Sequence, residues 1–191
     1  IPPPPIDESL IPESDDDDGD DPRDTPPPVI YGEEIDTEFD TIVYVVDVSG
    51  SMRWGLGSYT TIDGNQATGT RLDKAKVKLI RSITGLADNF KFNIVAFHCW
   101  TTQWSSELQE ANPPNKSSAT RWIFRLIPMG GTGTGPATAL GLSEQENMTI
   151  ILLTDGGPNC GASGFTGHRT MISNSNTQGA RINVFGIAAV G

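Results

Sequence analysis

Residues 41–52, TIVYVVDVSGSM, decide how the rest of the chain is interpreted. Positions 42–46 form an unbroken apolar run, mostly β-branched or aromatic, which is typical of a strand buried on both faces of a parallel sheet. The run ends in DVSGS, which places oxygen donors from Asp47, Ser49 and Ser51 on one turn that Gly50 allows to bend sharply. Such donors suit a hard cation such as Mg²⁺. Open α/β sheets bind ligands just outside the carboxyl ends of their strands, where this turn lies.

Two later stretches supply similar groups. Residues 130–135, GGTGTG, predict a flexible loop that carries the hydroxyls of Thr132 and Thr134. Residues 149–157, TIILLTDGG, predict a second buried strand, which ends in Asp155 as the first ends in Asp47. The three patterns DxSxS, GGTxTG and TDG therefore occur in order, each at the end of an apolar run or on a Gly-rich loop.

With these motifs the chain resembles, over roughly residues 38–191, the von Willebrand factor A family and its metal-ion-dependent adhesion site. The resemblance implies a bound Mg²⁺, or Mn²⁺ or Ca²⁺ in its place, which typically engages an Asp or Glu of a partner protein. Asp155 would bind the ion directly or through water. The implied metal ligands are Asp47, Ser49, Ser51, Thr132 and Asp155.

The surroundings of these ligands leave alternatives open. Thr134 either places a hydroxyl next to the metal ligands without binding the ion itself, or is an inert turn residue. Gly50 is a second residue that could position the ligands in this indirect way. A purely structural interpretation makes Asp47 and Asp155 caps of turns or helix N-termini. That interpretation does not explain two strand-end aspartates together with the threonine loop.

The charge of the chain is unevenly distributed. The net charge is −11, but residues 1–40 hold 15 of the 24 acidic residues and one of the 13 basic ones, so residues 41–191 carry +3. A near-neutral domain gives no electrostatic case for nucleic acid, and no apolar stretch is long enough to span a membrane. We interpret residues 1–37 as an acidic, proline-rich, disordered arm and residues 38–191 as the domain. The arm is a solvated linker, a docking segment, or a calcium-binding stretch around Gly19.

Strands that alternate with helices predict an α/β fold, a doubly wound and mostly parallel sheet flanked by helices. We expect a surface loop at 53–70, an edge strand at 103–108 and another loop at 111–116. The resemblance adds a final helix and strand, which we expect to be missing from this chain. The remaining helices are expected at 71–86, 118–127, from Pro136 and at 168–178, and the remaining strands at 90–100, 149–155 and 182–189.

The two cysteines, Cys99 and Cys160, each follow a core strand. In the sheet order that the resemblance implies, those strands flank the first strand and lie about 10 Å apart. The loops that follow the strands would have to close this gap for the two cysteines to form a disulfide. Otherwise Cys99 and Cys160 are two free thiols. A disulfide would argue against the cytosol. A first residue of Ile1 fits a processed precursor, and we therefore expect an extracytoplasmic protein: secreted, periplasmic or at the cell surface.

Catalysis is not expected. GGTGTG lacks the Gly-Lys-Ser/Thr of a phosphate-binding loop, Ser49 and Ser51 are outside any GxSxG motif, and His98 is interpreted as a packing residue. We expect a metal-dependent protein-binding module for adhesion or assembly, with Arg53 and Trp54 as either a contact rim or ordinary loop residues. The alternatives are a structural subunit of a larger complex, in which the metal only stabilises the loops, and a cytoplasmic integrator subunit of a chelatase- or ATPase-associated system.

Overall fold

The computed structural model describes residues 26–187, apart from the side chain of Leu56. Residues 1–25, with most of the expected arm, and residues 188–191, with the end of the last expected strand, lie outside that range. The elements in chain order are β1 (Val29–Ile30), β2 (Glu33–Glu34), β3 (Thr41–Asp47), a 3₁₀ turn (Gly50–Arg53), β4 (Gly55–Thr60), β5 (Gln66–Thr70), α1 (Arg71–Thr84), β6 (Lys91–Phe97), β7 (Thr101–Gln103), β8 (Gln109–Glu110), α2 (Pro113–Phe124), α3 (Thr134–Leu142), β9 (Thr149–Thr154), α4 (Gly164–Ser175) and β10 (Arg181–Gly186).

A mixed sheet forms the centre of the described domain. Its strand order is β10-β9-β3-β6-β7, and β8 also pairs with β6. The four strands from β10 to β6 are parallel, whereas β7 and β8 run antiparallel to β6. From β3 the chain passes through α1 to β6 on one side and later reaches β9 on the other side. The winding therefore reverses beside β3, the position where α/β sheets bind ligands.

The apolar run of β3 is buried on both faces, which explains its lack of alternation. Ile42, Tyr44 and Val46 pack into the larger core cluster with α1 and α2, while Val43 and Val45 pack into a second cluster with α3. The hydroxyl of Tyr44 lies 2.8 Å from Ser82 Oγ of α1, so the one polar atom in the run has a partner. Helices on both faces confirm the predicted doubly wound α/β architecture.

The folded part of the domain begins before residue 38. Strands β1 and β2 form a small antiparallel hairpin, and Ile30 and Ile35 are buried in the larger core cluster. The ring of Tyr31 stacks on Phe185 of β10 at a centroid distance of 6.0 Å. Residues 29–35, which the sequence assigned to the arm, therefore pack as part of the domain.

The expectation of a surface loop at 53–70 is wrong. This segment contains β4 and β5, which form an antiparallel hairpin with Tyr59 opposite Ala67. Its strands are rich in Thr and Gly and lack the apolar alternation that predicts a strand. The turn dipeptide Asp63-Gly64, with Gly64 at φ +85°, is the hairpin signal that the sequence offered.

Other boundaries also differ from expectation. The expected loop at 111–116 contains the start of α2. Asn112 caps this helix by accepting a hydrogen bond from Asn115 N (3.0 Å), and the prolines that predicted a loop are tolerated in a first helical turn. That helix ends at Phe124, short of the expected residue 127, and Ile127 is 63% exposed. Of the expected edge strand at 103–108, Gln103 ends β7 and residues 104–108 form no strand. Helix α4 begins before residue 168 and ends before residue 178.

No helix among the described residues is long and apolar enough to cross a bilayer.

Candidate functional site

Asp47, the last residue of β3, lies at the centre of the candidate site and is fully buried. Its Oδ1 accepts a hydrogen bond from Ser49 N (2.7 Å) and its Oδ2 accepts one from Thr154 Oγ1 (2.7 Å). Burial raises the pKa of Asp47 above the ordinary aspartate range, and the hydrogen bonds from Ser49 and Thr154 oppose that rise. Both carboxylate oxygens are thus held in place by donors from two neighbouring strand ends.

A chain of hydroxyls links the two aspartates. Ser49 Oγ lies 3.1 Å from Ser51 Oγ, and Ser51 Oγ donates to Asp155 Oδ1 at 2.7 Å. Asp155 directly follows β9, so the parallel pairing of β3 with β9 brings the two aspartates to one edge of the sheet. The structure therefore brings Asp47, Ser49, Ser51 and Asp155 into one hydrogen-bonded cluster.

The Gly-rich loop lies against the first loop. Gly50 N donates to Gly130 O at 2.9 Å, and a Cβ atom at Gly50 would lie 3.1 Å from that oxygen, so a larger residue would have to push the Gly-rich loop back by a few tenths of an ångström. Thr132 is buried and paired on both sides of its backbone with Asn159. Its N–H donates to Asn159 Oδ1 (2.8 Å), and its carbonyl accepts from Asn159 N (2.9 Å).

The supporting residues are placed differently. Thr134 is the first residue of α3, and its buried Oγ1 has no hydrogen-bond partner among the described residues. His98 is half-buried beside Gly130, where a Cβ atom would lie 3.0 Å from His98 Nδ1. Neither side chain hydrogen-bonds to the cluster in the described part of the chain; His98 Nδ1 instead accepts a hydrogen bond from Trp100 N at 3.4 Å.

Cys99 and Cys160 form a disulfide with their Cα atoms 5.6 Å apart. The bond joins the loops that follow β6 and β9, and these loops hold the Gly-rich loop between them. A Cβ atom at Gly131 would lie 2.9 Å from Cys99 Sγ and 3.2 Å from Cys160 Sγ. Gly133 N also donates to His98 O at 2.9 Å. The loop that carries Thr132 is thus fixed from two sides.

Arg71 was not anticipated from sequence as part of this site. It is the first residue of α1, and its Nη1 lies 2.7 Å from Oδ2 of Asp155, whose side chain is 0% exposed. The guanidinium also lies under the ring of Trp54, 5.0 Å from the centroid, and Trp54 is 60% exposed. Arg53, by contrast, contacts Pro128 O at 3.2 Å and no acidic residue among those described.

The donor set fits a small hard cation. The described residues contain no group of three His, Cys, Asp or Glu side chains that could hold a metal, so such a site depends on two carboxylates and several hydroxyls. Octahedral Mg²⁺ at 2.0–2.1 Å places adjacent ligand oxygens about 2.9 Å apart. The spacings from Ser49 to Ser51 (3.1 Å) and from Ser51 to Asp155 (2.7 Å) are ordinary hydrogen-bond lengths, and these oxygens would need little movement to become adjacent ligands of such an ion.

Comparisons with known proteins agree with this architecture. Among solved structures, a von Willebrand factor type A protein from Catenulispora acidiphila aligns with a TM-score of 0.61 and 22% identity, covering 77% of this chain and 33% of its own. The pilus adhesin SpaC from Lactobacillus rhamnosus GG aligns with a TM-score of 0.54 and 19% identity, covering 76% of this chain and 24% of its own. The fold is that of a von Willebrand factor A domain.

Sequence relatives support the von Willebrand factor A family as well. Mouse inter-alpha-trypsin inhibitor heavy chain H2 is 30% identical over 141 residues, 68% of this chain and 13% of the relative. Human von Willebrand factor A domain-containing protein 3B is 34% identical over 101 residues, 52% of this chain and 8% of the relative. This chain therefore spans a small part of the relatives that it matches. No protein-family model matches it.

Sequence reasoning missed three residues of this candidate site. Thr154 precedes Asp155 in the TDG motif, and its place at a strand end was the available signal. Asn159 lies one residue before Cys160 in a loop without secondary structure, and Arg71 was interpreted only as a helix residue. No local pattern predicts the contacts of the last two, because their partners are 27 and 84 positions away.

Proposed function

We propose that this domain is a protein-binding module for adhesion or assembly, in which a divalent cation at the candidate site engages an Asp or Glu of a partner protein. The observation that carries the proposal is the Ser49–Ser51–Asp155 hydroxyl–carboxylate chain, whose oxygen spacings of 3.1 and 2.7 Å suit an octahedral cation. The fold and the relatives support protein binding in general. The cation dependence is our inference from the donor chemistry.

The roles of the site residues follow from their positions. Ser49, Ser51 and Thr132 would supply neutral oxygens, and Asp155 a carboxylate, directly or through water. Asp47 would hold Ser49 and contribute negative charge next to the ion. Mg²⁺, Mn²⁺ and Ca²⁺ all accept such ligands, and a bound cation would supply a site for one further anionic oxygen.

The proposal includes neither catalysis nor nucleic acid. The cluster has no nucleophile hydrogen-bonded to a histidine base, since Ser49 and Ser51 contact each other and aspartates. Residues 41–191 carry only +3, which gives little attraction for phosphate backbones. The Cys99–Cys160 disulfide supports an extracytoplasmic location, where such bonds persist.

The decisive experiment compares cation binding with partner capture. Isothermal titration with Mg²⁺ and Mn²⁺ is carried out on the parent protein and on Ser51→Ala, which removes the hydroxyl that joins Ser49 to Asp155. Ser117→Ala is the matched control, since Ser117 lies on α2. We expect the parent and the control to bind the cation, Ser51→Ala to bind weakly, and partner capture to require Mg²⁺ and be lost in EDTA. Capture that is equal in Mg²⁺ and EDTA would favour the structural-subunit alternative.

A further inference from the structure

We propose that Arg71 sets the charge of the candidate cation site, so that it weakens the binding of the cation and strengthens the binding of a carboxylate to the loaded site. This inference rests on the proposed function and assigns a specificity-determining residue to it. The motifs do not point to Arg71; its contacts do.

Arg71 is held beside the site by its neighbours. Its Nη1 lies 2.7 Å from Asp155 Oδ2, while Ser51 occupies the other oxygen of the same carboxylate. The ring of Trp54 covers the guanidinium at 5.0 Å, and Arg71 N donates to Trp54 O at 2.9 Å. The Arg71 side chain is only 16% exposed, so water screens its charge weakly. A fixed positive charge therefore lies one carboxylate away from the proposed cation.

The charges of the site then differ from those of two aspartates alone. Asp47, Asp155 and Arg71 together carry −1, and a divalent cation changes the sum to +1. Without Arg71 the empty cluster would carry −2 and the loaded cluster would be neutral. Arg71 thus disfavours the cation by like-charge repulsion, and it leaves a net positive charge that one external carboxylate neutralises.

The protein itself supplies no such carboxylate on the loops of this edge. Four segments at this edge contain no Asp or Glu: residues 48–57, 98–106, 127–136 and 156–166. They follow, in order, β3, β6, α2 and the turn after β9. Acidic residues instead lie at the opposite edge of the sheet: Asp40 O accepts from Lys91 N at the start of β6, and Asp36 pairs with Arg181 at the start of β10. Among the described residues, none on these loops supplies the neutralising oxygen, and we assign it to the Asp or Glu of the partner in the proposed function.

Arg71→Gln tests this charge effect, and Arg71→Lys tests whether charge alone suffices. Arg121→Gln is the control, because it removes the same charge from an exposed position on α2 whose hydrogen bond is to Ser117 of that helix. Two quantities are measured: the Mg²⁺ dissociation constant by calorimetry, and the binding of acetate to the Mg²⁺-saturated protein by NMR of the tryptophan indoles. Circular dichroism without cation confirms folding.

We expect Arg71→Gln to bind Mg²⁺ about tenfold more tightly and acetate about fivefold more weakly, whereas Arg71→Lys and Arg121→Gln remain near the parent. If Arg71 only positioned Asp155, its removal would weaken Mg²⁺ binding; that result, or no change in either quantity, would overturn the inference. A parent protein that binds no divalent cation would instead refute the proposed function, and this inference with it.

Discussion

Removing the Cys99–Cys160 disulfide, as the double variant Cys99→Ser with Cys160→Ser, should lower the free energy of unfolding by about 4 kcal/mol. The bond closes a loop with a sequence separation of 61, and the entropy that a cross-link of this length removes from the unfolded chain corresponds to about 4 kcal/mol at 25 °C. The closed loop contains the rest of the chain between β6 and β9, so the restriction acts on α2 and α3 as well.

Urea unfolding followed by circular dichroism measures the effect. With a slope of about 2 kcal/mol per molar urea, the midpoint should fall by about 2 M. The parent protein in excess reductant is the matched control, and it should lose the same amount if the bond and not the serine side chains is responsible. A double variant that unfolds within about 1 kcal/mol of the parent would refute the loop-closure reasoning.

Three further predictions concern buried contacts. Asp47→Ala should abolish Mg²⁺ binding in calorimetry while circular dichroism shows a folded protein, because the apolar residues of β3 still pack; a variant that binds like the parent would contradict the site. Thr154→Val should cost about 1–3 kcal/mol in urea unfolding, since it leaves Asp47 Oδ2 without its donor, and Thr84→Val on the exposed side of α1 is the comparison. Burial lowers the pKa of His168, whose Nδ1 accepts a hydrogen bond from Gly135 N (2.8 Å). The unfolded state therefore binds the extra proton, and the stability of the protein should fall as the pH drops below about 6.5. His168→Asn should flatten this pH dependence in urea unfolding between pH 5 and 8, and an unchanged slope would count against the prediction.

The sequence predicted the central sheet because its signal is local. The runs that became β3 and β9 are buried on both faces, and burial of a parallel strand selects such uninterrupted apolar residues. Helix α1 was likewise predicted within two residues of its end, since its apolar positions recur every three or four residues. Burial of a regular element therefore leaves a periodic pattern that a reader of the sequence recognises.

The features that the sequence did not predict depend on contacts between distant segments. The hairpin of β4 and β5 pairs two strands rich in Gly, Ser and Thr through their backbones, and such residues leave no apolar period. The ion pair of Arg71 with Asp155 joins positions 84 apart, and it exists only because the hairpin delivers the start of α1 to the end of β9. The disulfide remained an open alternative for the same reason, since the loops and not the strands bring the two cysteines together.

The junction between this hairpin and α1 has a mechanical consequence. Thr70 is both the last residue of β5 and the N-cap of α1, where its side chain accepts from Asp73 N and the Asp73 side chain accepts from Thr70 N. Gly69 is packed so tightly that a Cβ atom there would lie 2.8 Å from both Asp73 and Tyr59. Because no residue separates β5 from α1, we expect the hairpin and the helix to move together. We then expect a force applied to the hairpin near Gly64 to reach Arg71, which pairs with Asp155.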